Sequence, residues 1–243
     1  MLEITMSENI ILTVLSFFTA LMTSIAGAGG GTVLLAAMLQ FMNPAEAIPV
    51  HGVIQLSSNM TRTWLLRKYV NWKIIFKFSV LLPLGVYIGL KIFQSIDQDY
   101  IKNLIGLFIL LAIGFQNLKS FKKIKIPSNI YYLVGFFTGI FNILVGVIAP
   151  LLAVIVRQSI EEKKSIVGTL GYFGLIGNLI KIIGFTFIGF SFYEYIETFL
   201  MIIPATLLGS RVGQIFLNKI SNNFFTLIFQ IILVGLAIRL LLT

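Results

Sequence analysis

Polar side chains recur along one predicted helical face of a chain that is otherwise strongly apolar. Successive members of this set are one, three or four residues apart, and His51 is the only histidine of the chain. The set is His51, Gln55, Ser58, Asn59 and Arg62. Residues three or four apart lie on the same face of an α-helix, so these side chains should meet at one place. Amide and guanidinium groups donate hydrogen bonds to anions, and a histidine can carry a proton near neutral pH. The pattern therefore indicates an anion site, with His51 as a candidate proton relay or pH sensor, or alternatively a plain polar contact.

The second half of the chain carries matching residues at a constant distance in the sequence. An offset of 119 residues aligns Asn59 with Asn178 and Arg62 with Lys181. That offset, or one of 124 residues after an insertion, aligns further small residues: Thr19 with Thr138, Gly27 with Gly146, Gly52 with Gly171, and Gly85 and Gly89 with Gly209 and Gly213. We predict two repeats that each contribute an asparagine and a basic residue to a central site. Two alternatives are that the asparagines only join helices and that Arg62 snorkels to the membrane surface. The last four glycines are interpreted as helix-packing positions.

A cluster of glycines interrupts an apolar run in the first half: Gly27, Gly29, Gly30 and Gly31. Glycine lets the backbone turn and lets a ligand approach closely. A helix that restarts at such a break has free amide groups and a partial positive charge at its N-terminus. We therefore predict a discontinuous helix that binds an anion through Gly29, Gly30, Gly31 and Thr32. Close packing of helices is the alternative interpretation.

The equivalent break in the second half is predicted between Gly146 and Pro150. Proline suits the first turn of a helix because its missing N–H group would have no partner there. Pro150 is therefore predicted to begin a second short helix. Asn142, which precedes this break, and Pro150 join the candidate binding residues.

Composition places these motifs in a membrane. Of 243 residues, 58% are hydrophobic and only 11% are charged, and runs of about 20 apolar residues suit a hydrocarbon core of about 30 Å. The predicted apolar segments are 9–26, 30–42, 48–66, 73–93, 101–119, 130–147, 148–158, 165–188, 197–217 and 224–243, of which 30–42 and 148–158 are too short to span. With no cysteine and one histidine, we predict no metal site, and no cofactor is expected.

Basic residues determine the predicted orientation. They surround or fill two loops: Arg67, Lys68, Lys73 and Lys77, and then Lys119, Lys122, Lys123 and Lys125. The positive-inside rule makes both loops cytoplasmic, so the first half starts outside and the second half starts inside. The predicted divisions are a first transmembrane repeat at 1–119, a basic cytoplasmic linker at 120–129 and a second repeat at 130–243. Loops beside anionic lipid explain the net charge of +9 without nucleic acid.

The sequence resembles a known family of membrane proteins in both halves. The stretch "AGAGGGTVLL", followed by "NPAEAIPVHGVIQLSSNMTRTWLLRKYVNWK", is similar to the first half of the sulfite exporter TauE/SafE family of bacterial and archaeal permeases, and "FTGIFNILVGVIAPLLAVIV" resembles its second repeat. The resemblance covers nearly the whole chain. It implies transport of sulfur-containing anions such as sulfite, sulfonates, sulfoacetate or thiosulfate.

We therefore expect an all-α polytopic membrane protein with eight to ten helical segments, arranged as two inverted-topology repeats with broken or re-entrant helices. The expected function is export of small sulfur-containing anions by alternating access through the cell membrane of a prokaryote, without enzymatic activity. A membrane-embedded enzyme acting on lipid or isoprenoid and a structural membrane subunit are the alternatives. The expected partners are the anion and membrane lipid, and the sequence leaves the oligomeric state open.

Overall fold

A computed structural model describes residues 5–117, 126–217 and 222–242. Over these ranges the chain forms α-helices and two 3₁₀ turns and contains no β-strand. The α-helices are α1 Met6–Ala26, α2 Gly30–Met38, α3 Pro44–Leu66, α4 Trp72–Ser95, α5 Gln98–Asn117, α6 Ile130–Leu144, α7 Ala149–Ser159, α8 Lys163–Phe187, α9 Ile196–Phe216 and α10 Asn222–Leu242. The described helices correspond to the predicted apolar segments and confirm the all-α prediction. The predicted basic residues Lys119, Lys122, Lys123 and Lys125 lie outside the described residues.

Helix α3 begins earlier than its apolar pattern predicted. It starts at Pro44, whereas the apolar segment began at residue 48. The reason is local, because the Asn43 side chain accepts a hydrogen bond of 3.1 Å from the Glu46 N–H group. An asparagine cap followed by a proline in the first turn satisfies the free N–H groups of a helix start. The predicted boundary was therefore wrong by one turn.

The long apolar helices are of the kind that crosses a membrane. Helices α1, α4 and α8, and the segment Phe192–Phe216 that includes α9, have the length and composition of membrane spans. Their outer faces carry large exposed apolar side chains, including Phe76, Leu84, Phe187 and Leu200. Apolar side chains exposed on this scale need a lipid environment. The protein is therefore a multi-pass membrane protein, as predicted.

Short helix α2 packs on α1, and the end of short helix α7 returns to the start of α6. Helix α2 has 9 residues and α7 has 11, which at about 1.5 Å per residue is far less than a bilayer core of about 30 Å. The Tyr131 hydroxyl at the start of α6 lies 3.0 Å from the Ser159 hydroxyl at the end of α7. A methyl group on Gly30 would lie 1.9 Å from the Thr19 carbonyl oxygen of α1. Helices α1 and α2, and α6 and α7, therefore form two hairpins that enter the protein and return.

Each hairpin packs against a long helix of the other half through glycine. A methyl group on Gly85 of α4 would lie 2.0 Å from the Phe136 carbonyl oxygen of α6, and one on Gly209 of α9 would lie 2.2 Å from the Phe17 carbonyl oxygen of α1. Gly89 and Gly213, one turn further along, make the same close contacts with α6 and α1. These contacts confirm the prediction that the four glycines are helix-packing positions.

Helices α3 and α8 cross antiparallel between the hairpins. A methyl group on Gly52 would lie 2.8 Å from Lys181 Cε, and one on Gly171 would lie 3.4 Å from Arg62 Cβ. The basic side chain of each helix therefore lies beside a glycine of the other, and Arg62 and Lys181 lie on opposite sides of the crossing.

Candidate anion-binding site

Arg62 forms hydrogen bonds with the backbone at the C-terminal end of α1, where the helix is interrupted. The helix ends at Ala26, and Gly27 and Gly29 have φ angles of 87° and 107°, which favour glycine because a side chain is strained there. Arg62 Nη1 donates to the carbonyl oxygens of Thr23 at 3.3 Å and Gly27 at 3.2 Å. A cation at a helix C-terminus is favourable because the final carbonyl groups carry partial negative charge.

The Arg62 guanidinium also contacts the asparagine one turn before it. Its Nη2 donates to Asn59 Oδ1, and Arg62 is only 3% exposed. The side chain therefore points into the protein and does not snorkel to the surface.

Lys181 makes the corresponding contacts at the broken end of α6. This helix ends at Leu144, and Gly146 has a φ angle of 75°. Lys181 Nζ donates to the Gly146 carbonyl oxygen at 3.1 Å and to Asn142 Oδ1 at 3.5 Å. Its side chain is 0% exposed. Helix α7 begins at Ala149 with Pro150 in its first turn, as the sequence predicted.

A small cavity lies between the two breaks. Its volume is about 60 Å³, against the roughly 10–15 Å³ that one water molecule needs. The lining comes from both hairpins and from α3 and α8: Thr23, Gly27, Gly29, Gly31, Thr32, His51, Gln55, Asn59, Arg62, Thr138, Asn142, Gly146, Val147, Ile148, Ala149, Leu152, Leu170, Phe173, Gly174, Gly177 and Asn178. This lining includes a guanidinium and three asparagine amides but no carboxylate. The cavity is therefore suited to an anion rather than a cation.

Several polar atoms of the lining residues are buried without a partner. They are Thr32 Oγ1, His51 Nδ1, Arg62 Nε and Thr138 Oγ1. Buried polar groups are nearly always hydrogen-bonded to protein, water or ligand. The cavity therefore has hydrogen-bonding capacity that the protein itself does not use.

Other polar side chains of the lining are partly used by the protein. Asn178 Nδ2 donates to the Gly174 carbonyl oxygen of its own helix at 2.8 Å, and Asn142 Nδ2 donates to the Gly177 carbonyl oxygen at 3.3 Å. His51 Nε2 lies 2.8 Å from the Gly31 carbonyl oxygen. These contacts use one polar atom each of Asn178 and His51, whereas both polar atoms of Asn142 are used, since its Oδ1 accepts from Lys181 Nζ.

The structure brings most predicted site residues to this cavity. The residues that line it are Gly29, Gly31, Thr32, His51, Asn59, Arg62, Asn142 and Asn178. Gly30, Pro150 and Lys181 are not among the lining residues. Gly30 packs on α1, Pro150 belongs to the first turn of α7, and Lys181 lies behind Asn142.

Sequence reasoning missed two polar residues of the lining, Thr23 and Thr138. Thr138 and Asn142 are four residues apart and therefore on one face of α6. That spacing was a usable signal, since both face the centre of the protein.

The fold and the cavity define a class of protein: a multi-pass membrane protein with a small cavity between two broken helices. The chain belongs to the sulfite exporter TauE/SafE family, whose model matches residues 12–240. It is therefore a membrane transporter of the sulfite exporter type, and the resemblance inferred from its motifs is confirmed. Comparison with curated proteins and with solved structures finds no match.

Proposed function

We propose that this protein is a secondary transporter that carries small sulfur-containing oxyanions out of a prokaryotic cell by alternating access. Sulfite, sulfonates, sulfoacetate and thiosulfate are the proposed substrates. The anion binds in the central cavity, and the surrounding bilayer is the cell membrane. The sequence contains no phosphate-binding loop, so transport draws on the gradient of the substrate or of an ion.

The observation that carries this proposal is the set of unpartnered polar atoms that belong to residues lining the cavity. Arg62 Nε and the hydroxyl groups of Thr32 and Thr138 can all donate hydrogen bonds, and none has a partner. Hydrogen bonds from a guanidinium to an oxyanion are among the strongest in proteins. No lining residue is an aspartate or glutamate that would neutralise the guanidinium. An oxyanion in this cavity satisfies the charge and the hydrogen bonds together.

The packing of the helices supports alternating access. The order of helices in residues 6–117 is long, short, long, long, long, and a similar order follows in residues 130–242. Helix α1 packs on α9, and α6 packs on α4, which occupies the matching place in the first half. We interpret this exchange as two inverted repeats, a common arrangement in secondary transporters whose substrate site lies between the repeats. A structural subunit would have no need of such a cavity.

Threonine-to-valine variants test the proposal because they keep the shape of the side chain and remove its hydroxyl group. Neither Thr32 nor Thr138 uses its hydroxyl within the protein, so Thr32→Val and Thr138→Val should fold with unchanged or higher thermal stability. Each should weaken sulfite binding by about tenfold to hundredfold, the value of a hydrogen bond to a charged group of roughly 1.5–3 kcal/mol. Calorimetry on purified protein with sulfite, sulfate, thiosulfate and a sulfonate measures the affinities.

Thr206→Val is the matched control. Thr206 is also buried, but its hydroxyl donates to the Ile202 carbonyl oxygen of its own helix, away from the cavity. This variant should bind anions like the wild type. If folded wild-type protein binds none of these anions, or if both cavity variants bind them with wild-type affinity, the proposed anion site is wrong.

A further inference from the structure

His51 lines the cavity, and one of its ring nitrogens carries no hydrogen. Its Nε2 lies 2.8 Å from the Gly31 carbonyl oxygen, and a carbonyl oxygen only accepts hydrogen bonds, so Nε2 must carry a proton. In a neutral imidazole the other nitrogen, Nδ1, then has a lone pair and no hydrogen. The contact with Gly31 therefore selects the tautomer.

The protein offers no donor to this lone pair. His51 Nδ1 is buried without a hydrogen-bond partner, the residue is only 1% exposed, and it lines the cavity. An unsatisfied buried acceptor is unfavourable. The missing hydrogen must come from the content of the cavity or from a proton that binds Nδ1 itself.

The charged groups near His51 are cationic. Lys181 lies on α8 beside Gly52, the neighbour of His51, and Arg62 lines the same cavity from α3. The other elements packed on α3 contribute no charge to the lining. Helix α2 has no titratable side chain, and the charged side chains of α9 and α5 are exposed or partly exposed: Glu197, Arg211, Asp99 and Lys102. Glu46, at the start of α3, forms a hydrogen bond with Tyr195. The cations attract an anion, whereas the bare nitrogen of His51 repels an anion that has no hydrogen to donate.

We propose that the cavity binds its anion together with one proton, held between His51 Nδ1 and an oxygen of the anion. The proton arrives on the anion, whose O–H group then donates to Nδ1, or it comes from solvent and binds Nδ1, which then donates to the anion. Both routes place the same proton in the site. The inference rests on the proposed anion site and narrows its ligand to an oxyanion that is bound with one proton.

Calorimetry with sulfite tests this count of protons. At a pH where sulfite in solution is fully deprotonated, titrations in two buffers with different heats of ionisation give the number of protons taken up on binding. Wild-type protein should take up about one proton for each sulfite bound, and its affinity should fall about tenfold for each further unit of pH, as linkage requires for one bound proton.

His51→Gln removes the titratable group and keeps the contact with Gly31. The glutamine amide can still donate to the Gly31 carbonyl oxygen, but neither of its polar atoms binds a proton near neutral pH. Proton uptake should therefore fall to near zero, and the remaining sulfite binding should no longer depend on pH. Thr138→Val is the matched control from the same cavity, because it should lower affinity and still take up one proton.

The outcomes separate this inference from the proposed function. Sulfite binding by wild-type protein without proton uptake would show that the anion binds without a proton, and the inference would be wrong while the anion site stands. Undiminished uptake in a folded His51→Gln variant would place the proton elsewhere and also overturn it. If His51→Gln does not fold, an absence of proton uptake by the wild type still overturns the inference. Absence of any sulfur-anion binding by folded wild-type protein would refute the proposed function and this inference with it.

Discussion

The two helix breaks share the same kind of hydrogen bonds from a buried basic side chain, but the residues around them differ. In the first half Arg62 binds the carbonyl oxygens of Thr23 and Gly27, and in the second half Lys181 binds Asn142 and the carbonyl oxygen of Gly146. The residues of each set correspond under the sequence offset of 119 residues. A buried basic residue at the end of each broken helix is therefore the shared requirement, because the final carbonyl groups of an interrupted helix need a donor inside the membrane.

The surroundings of the two breaks differ in polarity. Gly31 of the first half lies against Gln55 and His51, whereas the offset places Pro150, Gly174 and Leu170 at these positions in the second half. The second break adds Val147, Ile148 and Leu152 to the cavity wall. The shared part stabilises the fold, and under the proposed function the polar part found only in the first half selects the ligand.

The largest expected effect is at Gly30, whose equivalent in the second half is Ala149. A methyl group on Gly30 would lie 1.9 Å from the Thr19 carbonyl oxygen, part of the α1 backbone, which cannot move aside easily. Gly30→Ala should therefore destabilise the protein by more than about 3 kcal/mol, the upper range for an overpacked core. Ala149→Gly, which makes the second break resemble the first, should cost only about 1 kcal/mol.

Size-exclusion profiles and thermal unfolding in detergent measure both variants. Loss of a monodisperse peak for Gly30→Ala, with a stable Ala149→Gly, is the expected pair of results. A well-folded Gly30→Ala variant would show that the first hairpin is no tighter than the second.

Sequence patterns predicted the helix breaks but not the hydrogen bonds that basic side chains make to them. Glycine and proline mark interruptions whatever surrounds them, so Gly27 and Pro150 were informative alone. The start of α3 was also available from Asn43 and Pro44, a cap and first-turn pair that the apolar pattern obscured. The use of the basic side chains was not available from the sequence. Arg62 turns towards α1 because that helix ends beside it, and only the packing of distant segments determines this position.

The two asparagines allow a smaller and sharper test of the comparison. Asn59 Oδ1 accepts a hydrogen bond from Arg62, whereas Asn178 Nδ2 donates to the backbone of its own helix. Removal of Asn59 therefore releases the guanidinium that faces the cavity. Asn59→Ala should weaken sulfite binding about tenfold to hundredfold, equivalent to roughly 1.5–3 kcal/mol, and Asn178→Ala by less than about tenfold.

Calorimetry on variants with matched thermal stability distinguishes the possibilities. Equal losses in both variants would favour the symmetric site that the sequence predicted. Wild-type affinity in both, with intact folding, would leave the asparagines as contacts between helices.

The smallest expected effect is that of cysteines introduced at the surface, which should leave transport unchanged. Their labelling shows on which side of the membrane each hairpin opens. The Asn9 and Thr198 side chains, at the starts of α1 and α9, are hydrogen-bonded at 2.9 Å, so the first hairpin opens at the end of the molecule where α9 begins. The start of α6 lies at the other end, where Lys77 Nζ donates to the Ser128 hydroxyl at 2.7 Å.

Cysteines at the exposed positions Lys68 and Asp97 mark these two ends in a chain that has no cysteine of its own. By the positive-inside rule we predict that the Lys68 end is cytoplasmic. An impermeant thiol reagent added outside intact cells should therefore label Asp97→Cys and not Lys68→Cys, and disruption of the membrane should make both react. The polar first hairpin would then open to the outside and the less polar second hairpin to the cytoplasm. Labelling of Lys68→Cys from outside would reverse this assignment, because the hairpins enter from opposite ends and cannot change sides independently.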